Sequence, residues 1–195
     1  MVFLGGPRQV GKTTLALSVL GDQADEMHPA YFNWDDPRAA SRLRKLELPP
    51  GERLLIFDEL HKYARWRGLV KGIYDTEKSR RRLLVTGSAR LDYYRKGGDS
   101  LQGRYRYFRL HPFSLRELNP TPSKSDVEAL LRFGGFPEPL LQQDPRELRL
   151  WQRDRVSRVV RDDLRDLEQI REISLVEQLV DLLPEKVGSP LSVKS

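Results

Sequence analysis

Residues 6–13 read Gly-Pro-Arg-Gln-Val-Gly-Lys-Thr, the pattern G-x-x-x-x-G-K-S/T, and their neighbours restrict what the segment can be. Ahead of it lies a short apolar run, Val2-Phe-Leu4, with strand character; behind it Thr13 to Leu20 carries the apolar spacing of a helix that Gly21 ends. The order is strand, loop, helix, and in that order the loop is a phosphate cradle. Gly6 and Gly11 let backbone N–H groups converge on a β-phosphate, and the helix adds its positive end. Lys12 reaches the β- and γ-phosphates, and Thr13 offers its hydroxyl to Mg²⁺. Pro7, Arg8, Gln9, Val10 and Thr14 complete the nucleotide-binding stretch. A chance glycine turn has no need of Lys12-Thr13 at that offset, so the segment predicts a site for a nucleoside triphosphate with magnesium.

Beyond the loop the same alternation continues. Ala30-Tyr-Phe-Asn-Trp34 reads as a second strand, and Pro37 suits the first turn of a helix running through Arg44. Arg53 to Phe57 is a third strand, apolar as a parallel strand covered on both faces must be. A helix from about Trp66 to Lys78 comes next, then a fourth buried strand, Arg82 to Thr86, and a more exposed fifth, Tyr105 to Leu110. Strands alternating with helices require right-handed crossovers and a parallel sheet. Past Pro120-Thr-Pro122 the pattern is helical only: Ser125-Asp-Val-Glu128 reads as a capping sequence, and Asp144-Pro145 begins a longer charged helix toward Leu167. The expected division is a core over 1–119 and a helical lid with the start of a further domain over 120–195.

With no cysteine the chain has no disulfide, thiolate zinc site or cysteine nucleophile, and three scattered histidines do not make a metal site. Any metal is expected to arrive with the nucleotide. No apolar stretch approaches the ~20 residues of a membrane span, and no export signal is visible, which places the chain in the cytoplasm. The net charge of +6 is concentrated in the middle, where residues 61–119 carry fifteen Lys/Arg against five Asp/Glu. Such a patch suits DNA or an acidic protein partner, and it equally suits phosphates and subunit contacts.

Leu54-Leu-Ile-Phe-Asp58-Glu59 delivers carboxylates at the C-terminal end of a buried strand, where open parallel sheets hold their ligands. Asp58 would hold Mg²⁺ directly or through water, and Glu59 would polarise a water for attack on the γ-phosphate. Taken alone, such a pair is a solvated helix cap; its place after a phosphate loop gives it a catalytic reading. Leu83-Leu-Val-Thr86-Gly87-Ser88 ends the fourth strand in small polar residues. If that strand lies between the first and third, Ser88 or Thr86 faces the γ-phosphate and orients the water, the alternative being an ordinary Ser/Gly turn. His61 follows Glu59 closely enough for a proton relay but reads first as a loop histidine capping a helix, and Trp34 and Trp66 read as packing residues.

Gly5 to Leu15, Phe57-Asp-Glu-Leu-His-Lys62 with Trp66, Leu84-Val-Thr-Gly-Ser88, Leu101-Gln-Gly-Arg-Tyr105, His111-Pro-Phe-Ser-Leu-Arg-Glu117 and Gly134-Gly-Phe-Pro-Glu138, in that order, resemble the bacterial and archaeal AAA+ ATPases that carry a C-terminal domain of unknown function. The resemblance implies an α/β P-loop NTPase of AAA+ type, with a five-stranded mainly parallel sheet flanked by helices and an α-helical C-terminal region. It implies Ser88 in the sensor position, a homo-oligomer, and Arg104 as an arginine finger acting in trans, against a surface arginine in a basic region. Arg90, Arg158 and Arg161 are lesser candidates for phosphate contact, since 154–163 also reads as a salt-bridged helix. Preference for ATP rests on the resemblance; no N-K-x-D guanine-reading motif is present in the sequence. Against the family pattern both ends read as truncated: residues ahead of the first strand are missing, and Leu191 to Ser195 resembles the entry to a winged-helix-like segment.

Three functions fit these residues. The first is an ATPase that drives or switches a partner. The second is a nucleotide-gated DNA-binding or regulatory module with slow turnover, and the third a small-molecule P-loop kinase, against which the Asp58-Glu59 pair and the polar tip near Ser88 speak.

Overall fold

The computed structural model describes residues 1–87, 101, 103–160 and 173–189. Its elements, in chain order, are β1 (Val2–Gly5), α1 (Lys12–Leu20), β2 (Tyr31–Asn33), α2 (Pro37–Arg44), β3 (Leu54–Asp58), α3 (Trp66–Glu77), β4 (Arg82–Thr86), β5 (Arg106–Arg109), α4 (Leu115–Leu118), α5 (Lys124–Phe133), α6 (Pro137–Gln142), α7 (Pro145–Arg158) and α8 (Ile173–Leu182). The chain divides into two compact units between Glu138 and Pro139.

The first unit is built on a five-stranded sheet of order β2-β3-β4-β1-β5 in which every neighbouring pair is parallel. Strand alternation sorts its side chains into two faces. Phe3, Phe32, Leu55, Phe57, Leu83 and Val85 point to one face, under Leu43 of α2 and Trp66, Val70 and Ile73 of α3. Leu4, Tyr31, Ile56 and Leu84 point to the other, against Ala16 of α1. Both faces are covered, which explains why β3 and β4 carry uninterrupted apolar runs. β5, at the edge, is largely exposed.

β4 lies between β3 and β1, the order on which the reading of its polar tip depended. Trp66 is buried against Phe3, and Trp34 stacks on Tyr63 at 4.5 Å between ring centroids, so both tryptophans are packing residues. One cap differs from expectation. α5 starts from Ser123, whose hydroxyl accepts the N–H of Asp126 while the Asp126 carboxylate accepts the N–H of Ser123; Ser125 is already inside the helix. Both serines have an acid three residues on, and the helix takes the earlier one, where the Ser123–Asp126 box is closed from both sides.

In the second unit Asp144 caps α7, accepting from the N–H groups of Arg146 and Glu147. α7 is described as far as Arg158; its expected run toward Leu167 extends outside the described residues.

Candidate nucleotide site

The loop after β1 is held from both sides. Gly87 N–H donates to Leu4 O at 3.3 Å and Leu110 N–H to Gly5 O at 2.8 Å, so β4 and β5 fix the point where the chain leaves the sheet. Gly6 then takes φ +153°, and further on Gln9 and Gly11 take φ +62° and +94°, the turn alternation that gathers backbone N–H groups into an anion-binding concavity. Val10 is buried and anchors the crown of the loop. Helices α2, α5 and α7 have their first N–H groups occupied by Asp36, Ser123 and Asp144. α1 begins at Gly11 with no side-chain cap, which leaves its N–H groups and its positive end to the loop. Lys12 as a residue is 6% exposed, and its ammonium donates to Pro7 O at 2.8 Å and Gly6 O at 3.2 Å. Pro137, at the start of α6, also reaches this loop: a Cβ on Gly11 would stand 3.8 Å from its Cγ.

On the α1 face, register brings a second group of polar residues together. Tyr31, Ile56 and Leu84 lie side by side, so Asp58 and Thr86, two residues further along β3 and β4, emerge as neighbours at the C-terminal edge. Asp58 is 3% exposed, and its carboxylate accepts four hydrogen bonds. Oδ2 takes the Thr13 hydroxyl at 2.7 Å and the Tyr31 hydroxyl at 2.6 Å; Oδ1 takes the Thr86 hydroxyl and the Glu59 N–H, the latter at 3.0 Å. Burial, followed by the bond to Asp58, pushes the Tyr31 phenol well above its ordinary range, so it stays protonated and donates.

Glu59 leaves β3 with φ +53°, a conformation rare for a side-chain-bearing residue and common at functional sites. Its Oε2 lies 3.6 Å from Lys62 Nζ and 3.7 Å from His61 Nε2, and Lys62 in turn meets Asp35 Oδ2 at 2.5 Å. Burial raises the Glu59 pKa and Asp58 adds to the rise, while Lys62, Lys12 and Arg8 oppose it. The expectation that His61 caps a helix is not met. It sits inside the three-residue 3₁₀ turn Leu60–Lys62, buried behind Glu59, because the left-handed step at Glu59 turns Leu60 and His61 inward.

Thr13 and Asp58 thus bring a hydroxyl and a carboxylate into contact, the hard oxygen donors that Mg²⁺ takes when phosphates complete its shell. Among the described residues no cluster of three or more His, Cys, Asp or Glu is placed to hold a metal. Ser88, Arg90 and Arg161 lie outside the described residues. Arg104 is not part of this group. Arg106 pairs with Val2 and Arg109 with Gly5, so the turn before β5 lies at the sheet end away from the loop, and there Arg104 Nε meets Asp75 Oδ1 at 3.1 Å. Arg158 belongs to the second unit. The sequence pattern did not reveal Tyr31, Lys62 with Asp35, or Pro137. For Tyr31 the available signal was its place two residues before the end of a strand neighbouring β3.

Among the described residues no helix is long and apolar enough to cross a membrane. Residues 124–195 match a family model described as a domain of unknown function. Two curated relatives, Uncharacterized protein Rv2008c of Mycobacterium tuberculosis and Uncharacterized protein Mb2031c of Mycobacterium bovis, are each 27% identical over 169 residues, covering 86% of this chain and 36% of the relative. The chain therefore spans about a third of the length of the curated relatives it matches. Residues 1–119, more than half of the chain, match the model described as AAA domain, and with that match the chain belongs to the AAA family of nucleotide-binding, ATPase-type proteins.

Proposed function

We propose that this chain binds ATP with Mg²⁺ and hydrolyses the bond to the γ-phosphate, to drive or switch a partner. The observation that carries the reading is the contact of Thr13, the first residue after the loop lysine, with Asp58 at 2.7 Å, with Glu59 next in the chain. The loop N–H groups and the start of α1 would bind the β-phosphate, and Lys12 would leave the carbonyls of Gly6 and Pro7 for phosphate oxygens of higher charge. Thr13 and Asp58 would hold magnesium, which when bound would supply neutralisation of the phosphate oxygens as charge builds on them. Glu59 would accept the proton of a water whose oxygen bonds to the γ-phosphorus as the bond to the β–γ bridging oxygen breaks, giving ADP and inorganic phosphate. Burial suits Glu59 to this role by making it a stronger base than an exposed glutamate. Thr86 would support Asp58 from the β4 side.

The test is steady phosphate release from ATP by the purified protein. Glu59→Gln is expected to lower it by about 10²–10⁴-fold while nucleotide binding persists. Release at the wild-type rate in that variant removes Glu59 from the mechanism, and failure of the wild-type protein to bind ATP defeats the reading as a whole.

A further inference from the structure

The phenol of Tyr31 belongs neither to the phosphate loop nor to the Asp58-Glu59 pair, yet it touches the same carboxylate. Its position is set by register: among the described residues β2 pairs with β3 alone, Tyr31 lies opposite Ile56, and its side chain shares the α1 face with Asp58, two residues beyond Ile56. The residue is 4% exposed and its hydroxyl is 2.6 Å from Asp58 Oδ2.

A carboxylate offers about four lone-pair positions, and at Asp58 each oxygen receives two donors. The Thr86 hydroxyl and the Glu59 N–H hold Oδ1 in place. Oδ2 has Thr13, assigned to the metal under the proposed function, and Tyr31. Tyr31 therefore holds Oδ2 from outside the loop, and it does so from a strand whose backbone is tied to β3: Trp34 N–H donates to Asp58 O at 2.9 Å. A phenylalanine would fill the same core volume. The hydroxyl has a separate job.

We propose that Tyr31 is a positioning residue for Asp58, fixing Oδ2 against the Thr13 hydroxyl so that the two oxygens stand ready for Mg²⁺ before the nucleotide arrives. This rests on the reading of Asp58 as the magnesium-side carboxylate. Partners of this kind set metal affinity through the ligand they orient.

Tyr31→Phe tests it, with a fluorescent N-methylanthraniloyl derivative of ATP as probe. In EDTA the variant is expected to bind the probe as the wild type does, within about twofold, since the loop and Lys12 are untouched; the same measurement reports that the protein is folded. With MgCl₂ titrated in, the concentration that half-saturates the magnesium-dependent part of binding is expected to rise by about 10–100-fold. In an Asp58→Asn background the Tyr31→Phe change is expected to add nothing, because the group it positions is gone. An unchanged or lower magnesium requirement overturns the proposal and leaves Tyr31 a packing residue. So does equal weakening with and without magnesium, which places the effect in the loop. If wild-type binding shows no response to magnesium and Asp58→Asn is silent, the magnesium reading of Asp58 falls, and the role of Tyr31 falls with it.

Discussion

A Cβ on Gly6 would stand 2.5 Å from the carbonyl oxygen of Leu110. The first glycine of the loop is thus needed twice: for its φ of +153°, and because the exit of β5 presses its backbone against the loop. Gly21 separates the two needs, since it has φ +151° with nothing within 4 Å of a Cβ built on it. Gly21→Ala should show the conformational cost alone, about 1–3 kcal/mol, with nucleotide binding retained. Gly6→Ala should add the clash, lower the melting temperature further and weaken nucleotide binding by at least about tenfold, or ~1.4 kcal/mol. Thermal denaturation and nucleotide titration of the two variants check this; equal behaviour in both would remove the Leu110 contact from the account.

Asp58 is a structural acceptor as well as a candidate metal residue, and two substitutions distinguish the roles. In Asp58→Asn the new carbonyl oxygen can still accept the Glu59 N–H, which cannot turn, while the new NH₂ faces the hydroxyls of Tyr31 and Thr13, which can rotate to accept. The loss is then mainly that of charge assistance, on the order of 1–2 kcal/mol. In Asp58→Ala the buried donors lose their acceptor at about 1–3 kcal/mol each. Urea denaturation should rank wild type above Asp58→Asn above Asp58→Ala, while both variants lose the magnesium response. An Asp58→Ala protein as stable as Asp58→Asn would mean that the four hydrogen bonds contribute little.

What could be read from the sequence divides along a physical line. The loop from Gly6 to Thr13 and the strand ending at Asp58 are local: each is a run of residues whose spacing alone states its role, and β4 falls at Arg82–Thr86 as its apolar run predicted. The contact of Asp58 with Tyr31 spans 27 positions and exists only because β2 is laid beside β3 in one register. A shift of one residue would put Tyr31 on the other face. Lys62 and Asp35 meet for the same reason, from the exits of two neighbouring strands. The burial of His61 was hidden for another cause, since a left-handed step at a glutamate has no sequence signature.

Three solvent-exposed carboxylates cap helices in their charged form, and their sign with pH is fixed. The Ser114 N–H and then its hydroxyl hold Glu117 below its ordinary pKa; the Ser123 hydroxyl and then its N–H do the same for Asp126, and the N–H groups of Arg146 and Glu147 for Asp144. A depressed folded-state pKa contributes stability that is complete above the unfolded value, near 4 for these groups, and is lost as pH falls through the folded value. Wild type and Glu117→Gln or Asp126→Asn are therefore expected to differ in melting temperature at pH 6 and to converge as the pH approaches 2. A gap that stays constant over that range would show that the carboxylates do not act through their charge.

Arg104 stands beside Asp75, at the start of a strand pair whose other end carries the loop. β1 has four residues, so roughly 13 Å of strand, at about 3.3 Å per residue, separates that turn from Gly5. If Arg104 meets a γ-phosphate, the phosphate belongs to a second copy of the chain, and complementation tests this without a structure of the assembly. Arg104→Ala keeps Glu59 and lacks the arginine; Glu59→Gln keeps the arginine and lacks the base. Each alone is expected to release phosphate slowly. Mixed in equal amounts, they place an intact Arg104 beside an intact Glu59 at some interfaces, and release is expected to rise well above the mean of the two separate rates, most clearly at high protein concentration. A mixture that only averages the two rates, with Arg104→Ala as active as wild type, would leave Arg104 as the partner of Asp75 on α3 and no more.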